Sequence, residues 1–106
     1  MIDITYEPGR WQVVVKGHAG AGKKGGDIVC AAASMLACTL SANVESLRQQ
    51  GAVRRAEICL AEGTARIKAC PACGYRNRVR TVFETVCRGF RLLAQMQPNH
   101  VQYKER

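Results

Sequence analysis

Acidic residues are scarce in this chain: 8 Asp and Glu stand against 16 Lys and Arg, a net charge of +8 over 106 residues. Such an imbalance disfavours basic partners and favours acidic ones, such as RNA, ribosomes or anionic lipid. The basic residues are scattered along the sequence, and the nearest thing to a cluster is Arg76, Arg78 and Arg80. On that pattern a merely solvated basic surface and an RNA site are equally good readings. Linkers, internal repeats and low-complexity tracts are absent, so residues 1–106 read as a single globular domain. No cationic start is followed by an apolar run, which argues against a secretory leader. The longest apolar stretch, Ile28 to Leu40, is broken by Ser34 and Thr39 and is too short to span a bilayer. A soluble, cytoplasmic protein without membrane attachment is therefore expected. In that compartment the six cysteines are thiols or metal ligands rather than disulfides. A domain this small has a modest core, and a dimer would bury more surface.

Hydrophobic residues supply 47% of the chain, and their spacing outlines the fold. Ile2, Ile4 and Tyr6 alternate with polar residues, as in a half-buried strand, and Pro8-Gly9 turns the chain into a second strand at Trp11 to Lys16. Gly17, Gly20, Gly22, Gly25 and Gly26 crowd the next ten residues, which read as a loop. Asp27 then reads as the N-cap of a helix running to about Gln49, with Ile28, Ala32, Met35, Leu36, Leu40, Val44 and Leu47 as its apolar stripe. Arg55 to Leu60 and Thr64 to Ala69 form a second hairpin about Glu62-Gly63. A second helix carries Val79, Val82, Phe83, Val86, Phe90 and Leu93, stops at Pro98, and precedes a short strand at Val101 and Tyr103. The order β-β-α-β-β-α-β predicts an α+β domain, two helices on one face of a mainly antiparallel sheet.

Histidine occurs twice, and His18 is the one placed for chemistry. It leaves the second strand at one side of the glycine loop, while Cys30 lies within the first turn of the helix if Asp27 caps it. A cysteine nucleophile must be a thiolate, and a helix start supplies both dipole and free amides to stabilise negative charge there. The same amides would stabilise an oxyanion, and the histidine would manage the proton. Asp27 suits a capping or orienting role better than proton transfer, since its charge opposes thiolate formation. Ser34 and Cys38 lie one and two turns beyond Cys30 on the same side of the helix. The competing reading makes Cys30 a small buried hydrophobe and His18 a surface residue, and spacing alone does not separate the two.

The run Gly17-His18-Ala19-Gly20, a glycine-bearing gap, then Gly26-Asp27-Ile28-Val29-Cys30-Ala31-Ala32-Ala33-Ser34 closely resembles the signature of the ribosomal-processing cysteine proteases called Prp. The resemblance extends along the whole chain. It implies an α+β homodimer without a cofactor, with His18 and Cys30 as catalytic dyad and the glycine loop as a lid over an extended peptide. It implies as substrate the N-terminal extension of large-subunit ribosomal protein twenty-seven, removed so that the mature protein can enter the ribosome. Lys23-Lys24 and the Cys70-Cys73 pair depart from the family pattern.

Two motifs compete. Gly17 to Lys23 nearly matches a P-loop, but Lys24 replaces the hydroxyl residue that should hold magnesium and the expected helix starts too late. Cys70-Pro-Ala-Cys73-Gly74 is a thiol-redox motif or half of a zinc site, which a dimer could complete. It supports the alternative of a non-proteolytic ribosome- or RNA-associated module. A plain loop with idle thiols is its simplest reading. Cys38, Cys59 and Cys87 read as core, His100 as a surface residue, and Trp11 as packing under the second helix or at a dimer contact.

Overall fold

Alternation in the strands decides the architecture, because every buried strand residue falls on one side of the sheet. The computed structural model describes residues 1–18 and 23–106, with side chains for 1–18 and 28–106. Strands β1 (Ile2–Glu7) and β2 (Gln12–Lys16) are joined by a 3-10 turn at Pro8–Arg10. Helix α1 (Lys23–Gln49) leads to β3 (Val53–Ala61) and β4 (Thr64–Pro71), then to helix α2 (Arg76–Met96) and β5 (Val101–Glu105). The sheet order is β3-β4-β2-β1-β5, antiparallel throughout except for the parallel pair β1–β5. The predicted order and class are therefore those observed.

Ile2, Ile4, Tyr6, Val13, Val15, Ala65, Ile67, Ala69 and Val101 form the inner face of the sheet. They meet Val29, Ala33, Ala37, Leu40, Val44 and Leu47 of α1 and Val79, Phe83, Val86 and Phe90 of α2. Phe83 is the hub. It stacks on Tyr6 at 6.1 Å between centroids and receives the edge of Trp11 at 6.4 Å. Trp11 therefore packs against α2. The helices also touch each other where Gly89 leaves room for Leu36; a Cβ there would stand 2.8 Å from Leu36 Cδ2.

Four readings need correction. First, α1 begins at Lys23, so Asp27 lies inside the helix rather than capping it, and Gly25 and Gly26 are helical rather than part of a loop. Glycine costs only about 1 kcal/mol per residue in a helix, and a long amphipathic segment downstream can carry that. The early start also removes one argument against the P-loop; Lys24 in place of a hydroxyl residue still stands.

Second, the buried stripe in the first half of α1 is Val29, Ala33 and Ala37, leaving Ile28 and Met35 71% and 66% exposed. This part of α1 is apolar nearly all round, so periodicity alone does not choose the face. Third, Ile28–Gln49 is long and apolar enough to cross a bilayer by length and composition. One face of it is the core of the domain, however. Fourth, of the three cysteines read as core only Cys87 is buried; Cys38 and Cys59 are exposed. Cys59 sits on edge strand β3, whose outer face nothing covers among the described residues, and Cys38 faces an open cleft.

Candidate active site

The second strand ends at Gly17, whose φ of +100° only glycine adopts readily, and a Cβ there would run into the Met1 carbonyl oxygen. The Gly17 N–H donates to the Gly63 carbonyl oxygen at 2.9 Å, tying β2 to the β3–β4 turn. That tie positions His18. Its carbonyl oxygen accepts a hydrogen bond from the Met1 ammonium at 2.6 Å. Its ring lies over Gly63, whose φ is +75°; a Cβ on Gly63 would stand 3.0 Å from His18 Nε2. Glycine at position 63 thus serves twice, making the turn and giving space to the imidazole.

Cys30 approaches from α1. It is half-buried and packs against the core, and it occupies the eighth helical position counted from Lys23. Its amide is therefore inside the helical hydrogen-bond ladder, beyond the four free N–H groups of the first turn. The expected contribution of free helix amides at Cys30 does not hold.

His18 and Cys30 line one cleft of about 520 Å³. Ile2, Val15, Ala33 and Ala37 form its apolar floor, Ser34 and Cys38 continue the α1 wall, and Leu60 to Ala65 of the β3–β4 hairpin form the other wall. This is a histidine and a thiol facing a concave, mostly apolar site with a carboxylate, Glu62, at its margin. Such a site can take an extended peptide and perform acyl transfer on it.

Of the residues singled out in the sequence, the cleft brings together Gly17, His18, Cys30, Ser34 and Cys38. Gly20 and Gly22 lie outside the described residues, as does the side chain of Asp27. Of the glycines in the expected lid, Gly25 and Gly26 belong to α1. Cys70 and Cys73 are remote from the cleft, half-buried and exposed at the far end of β4. Among the described residues no three His, Cys, Asp or Glu side chains gather as a metal site would require.

Sequence reasoning missed Leu60, Glu62, Gly63 and Thr64 as parts of the site. The Glu62-Gly63 turn was legible, but its place beside His18 depends on β4 pairing with β2, which sets Thr64 opposite Lys16. Local patterns carry no information about that pairing.

The remaining thiols are graded by burial. Cys87, on the buried face of α2, has its pKa pushed up to about 12, chiefly by burial, and is chemically quiet at neutral pH. Burial likewise holds the Tyr6 phenol up at about 12, its hydroxyl without a hydrogen-bond partner among the described residues.

Comparison with known proteins bears on the fold and the family. No curated protein sequence matches the chain. Among solved structures, the Streptococcus mutans protein SMU.848 is 27% identical, with 98% of this chain and 90% of that one covered at a TM-score of 0.67. The essential ribosomal processing protease Prp from S. aureus, in complex with a covalently linked product peptide, is 20% identical with both chains fully covered and a TM-score of 0.74. The same protease with a substrate peptide gives 20% identity, 99% and 97% coverage, and a TM-score of 0.69; at that identity the likeness is one of fold. The model of the cysteine protease Prp family matches residues 1–102, nearly the whole sequence. A chain matched over that span, with a thiol and an imidazole on one cleft, belongs to the Prp family of cysteine proteases.

Proposed function

We propose that Cys30 is the nucleophile and His18 the general base and acid of an endopeptidase that removes the N-terminal extension of large-subunit ribosomal protein twenty-seven. The observation that carries this reading is the shared cleft of His18 and Cys30 in a chain of this family. The thiolate of Cys30 adds to the scissile carbonyl, and the tetrahedral adduct collapses to a thioester as the C–N bond breaks. His18 gives the departing amine its proton, then takes one from the water that hydrolyses the thioester, which regenerates the thiol. Ser34 lines the cleft one turn beyond the nucleophile.

Glu62 eases an electrostatic difficulty. A protein of net charge +8 repels a basic ribosomal protein in general, but a carboxylate at the cleft margin gives basic substrate residues a local partner. The enzyme works in the cytoplasm, where thiols stay reduced. It works as a homodimer, in which a second copy covers the exposed apolar stripe of Ile28, Ala31, Met35 and Ala42 on α1. Met35→Glu is expected to give monomers in light scattering, whereas an unchanged mass would remove that face from the dimer.

The deciding experiment is cleavage of a peptide spanning the extension and the mature start of the host's ribosomal protein. Specific cutting by the reduced wild type, abolished by both Cys30→Ala and His18→Ala, is the expected result. Cutting that survives either substitution refutes the dyad, and an intact peptide with a folded wild-type enzyme refutes the substrate.

A further inference from the structure

The arginines that look scattered in the sequence converge at the end of the sheet opposite the cleft. Cys70 at the end of β4 pairs with Arg55 of β3, and the irregular register between Val53 and Arg55 leaves Arg54 exposed beside it. The Ala69 N–H donates to the Trp11 carbonyl oxygen at 3.0 Å, which brings the β1–β2 turn alongside. The chain then passes through Ala72, whose N–H reaches the Ala52 carbonyl oxygen, and enters α2 at Arg76. One end of the molecule thus presents Arg54, Arg55, Arg76, Arg78 and Arg80, all exposed, and no carboxylate lies within 4.0 Å of their charged nitrogens among the described residues.

Two of these guanidinium groups are held in place. Arg78 lies 5.1 Å from the Tyr75 ring centroid and Arg80 5.1 Å from that of Trp11. Stacking fixes the plane of the fork while its N–H groups stay in water, so less conformational freedom is lost when an anion binds. Planar forks suit the paired oxygens of a phosphodiester. A bilayer surface fits less well. The large exposed apolar side chains, Met1, Ile28, Met35, Ile58, Leu60, Leu92 and Met96, lie elsewhere, so nothing at this end would insert among lipid chains.

We infer that the arginine end of the sheet, built on Trp11, Tyr75 and the first turn of α2, is a second site that binds the phosphodiester backbone of nucleic acid. It is separate from the cleft, so a bound nucleic acid leaves the peptide site open. The enzyme would then be held on an acidic ribonucleoprotein while its other end works.

The test is fluorescence anisotropy with a labelled 20-nucleotide single-stranded RNA and a DNA of the same sequence. The full protein is compared with the triple variant Arg76→Gln, Arg78→Gln, Arg80→Gln. The expected result is at least a tenfold rise in Kd for the variant. Its log Kd against log salt slope should also be shallower by about 2, since each lost phosphate contact removes about 0.7. Peptide cleavage and the thermal midpoint should not change. The matching triple Lys variant should keep the salt slope and lose only severalfold in affinity, which reports on the stacked forks and guards against a folding defect. Tighter binding of RNA than DNA would add recognition of the 2′-hydroxyl to the backbone site. Three results overturn the inference: unchanged affinity in the Gln variant, equal competition by polyglutamate, or equal competition by vesicles of anionic lipid.

Discussion

The two ends of the sheet are built from the same strands and do opposite things with their side chains. At one end, β2 stops on a glycine and the β3–β4 turn leans over it, so that backbone and imidazole pack against Gly17 and Gly63. Concavity there comes from small residues: Ala33, Ala37, Ala65 and the two glycines leave the space that His18 and Cys30 share. At the other end the aromatic side chains Trp11 and Tyr75 fill the corner and carry arginines outward. A cleft is made by leaving side chains out, and a charged platform by stacking them up. In this chain of 106 residues the cleft and the arginine platform are separated by the length of the strands.

That contrast can be broken. The largest effect expected is on turnover: Cys30→Ala should lower peptide cleavage by at least about a thousandfold, as removal of a covalent nucleophile does elsewhere. The arginine variant should leave the rate within about twofold. Comparable losses in both would show that the ends are not independent.

Next is Gly17→Ala, where a positive φ and a collision with the Met1 backbone coincide. It should cost about 2 kcal/mol or more of stability, measured by urea unfolding. Gly51 has a positive φ but open space around it, so Ala there should cost less, and equal costs would mean that the Met1 contact is immaterial. Gly63→Ala should displace the His18 ring and lower kcat/KM about tenfold with a smaller loss of stability, about 1 kcal/mol.

The smallest effect concerns the core between the ends. Burial raises the Cys87 thiol from its ordinary 9.0 to about 12, so the unfolded chain ionises there before the folded one does. Stability conferred by keeping it neutral is therefore full below about pH 9 and is lost as pH rises towards 12. Cys87→Ala should flatten the decline of unfolding free energy over that interval. Iodoacetamide at pH 8 should label the exposed Cys38, Cys59 and Cys73 and spare Cys87. Ready labelling of Cys87 would mean that the interior opens freely.

Most of the fold was legible because its signals are local. Strand alternation in Ile2–Tyr6 and the stripe Val79 to Leu93 point to the same elements the structure contains, and punctuation by Pro8-Gly9, Gly51 and Pro98 sets most boundaries. The start of α1 was not legible. Five glycines in ten residues argue for a loop, yet the helix extends back to Lys23 through Gly25 and Gly26. The first half of α1 is apolar nearly all round, which hides the buried face: Val29 and Ala33 occupy the core, whereas Ile28 and Met35 are exposed.

The site was half legible. His18 and Cys30 stand out by residue type and by the motif around them. Leu60, Glu62 and Gly63 join them only through strand pairing across the sheet, which no short window of sequence encodes. The arginine end was hidden for the same reason: Arg55 and Arg80 are far apart in the chain and fall at one end of the sheet only when β4 returns beside β2.

The parallel pair β1–β5 also has a bearing on how the protein comes into being. Ile2 lies opposite Val101, ninety-nine positions later, so the sheet acquires its last strand only after nearly all of the chain is available. Contacts of such wide sequence separation slow folding, because a long loop must close before it is rewarded. During synthesis the second strand, the helix with the thiol and the central hairpin are all made before the strand that lies beside β1. A chain made only as far as β4 would thus carry His18 and Cys30 without the finished sheet beneath them.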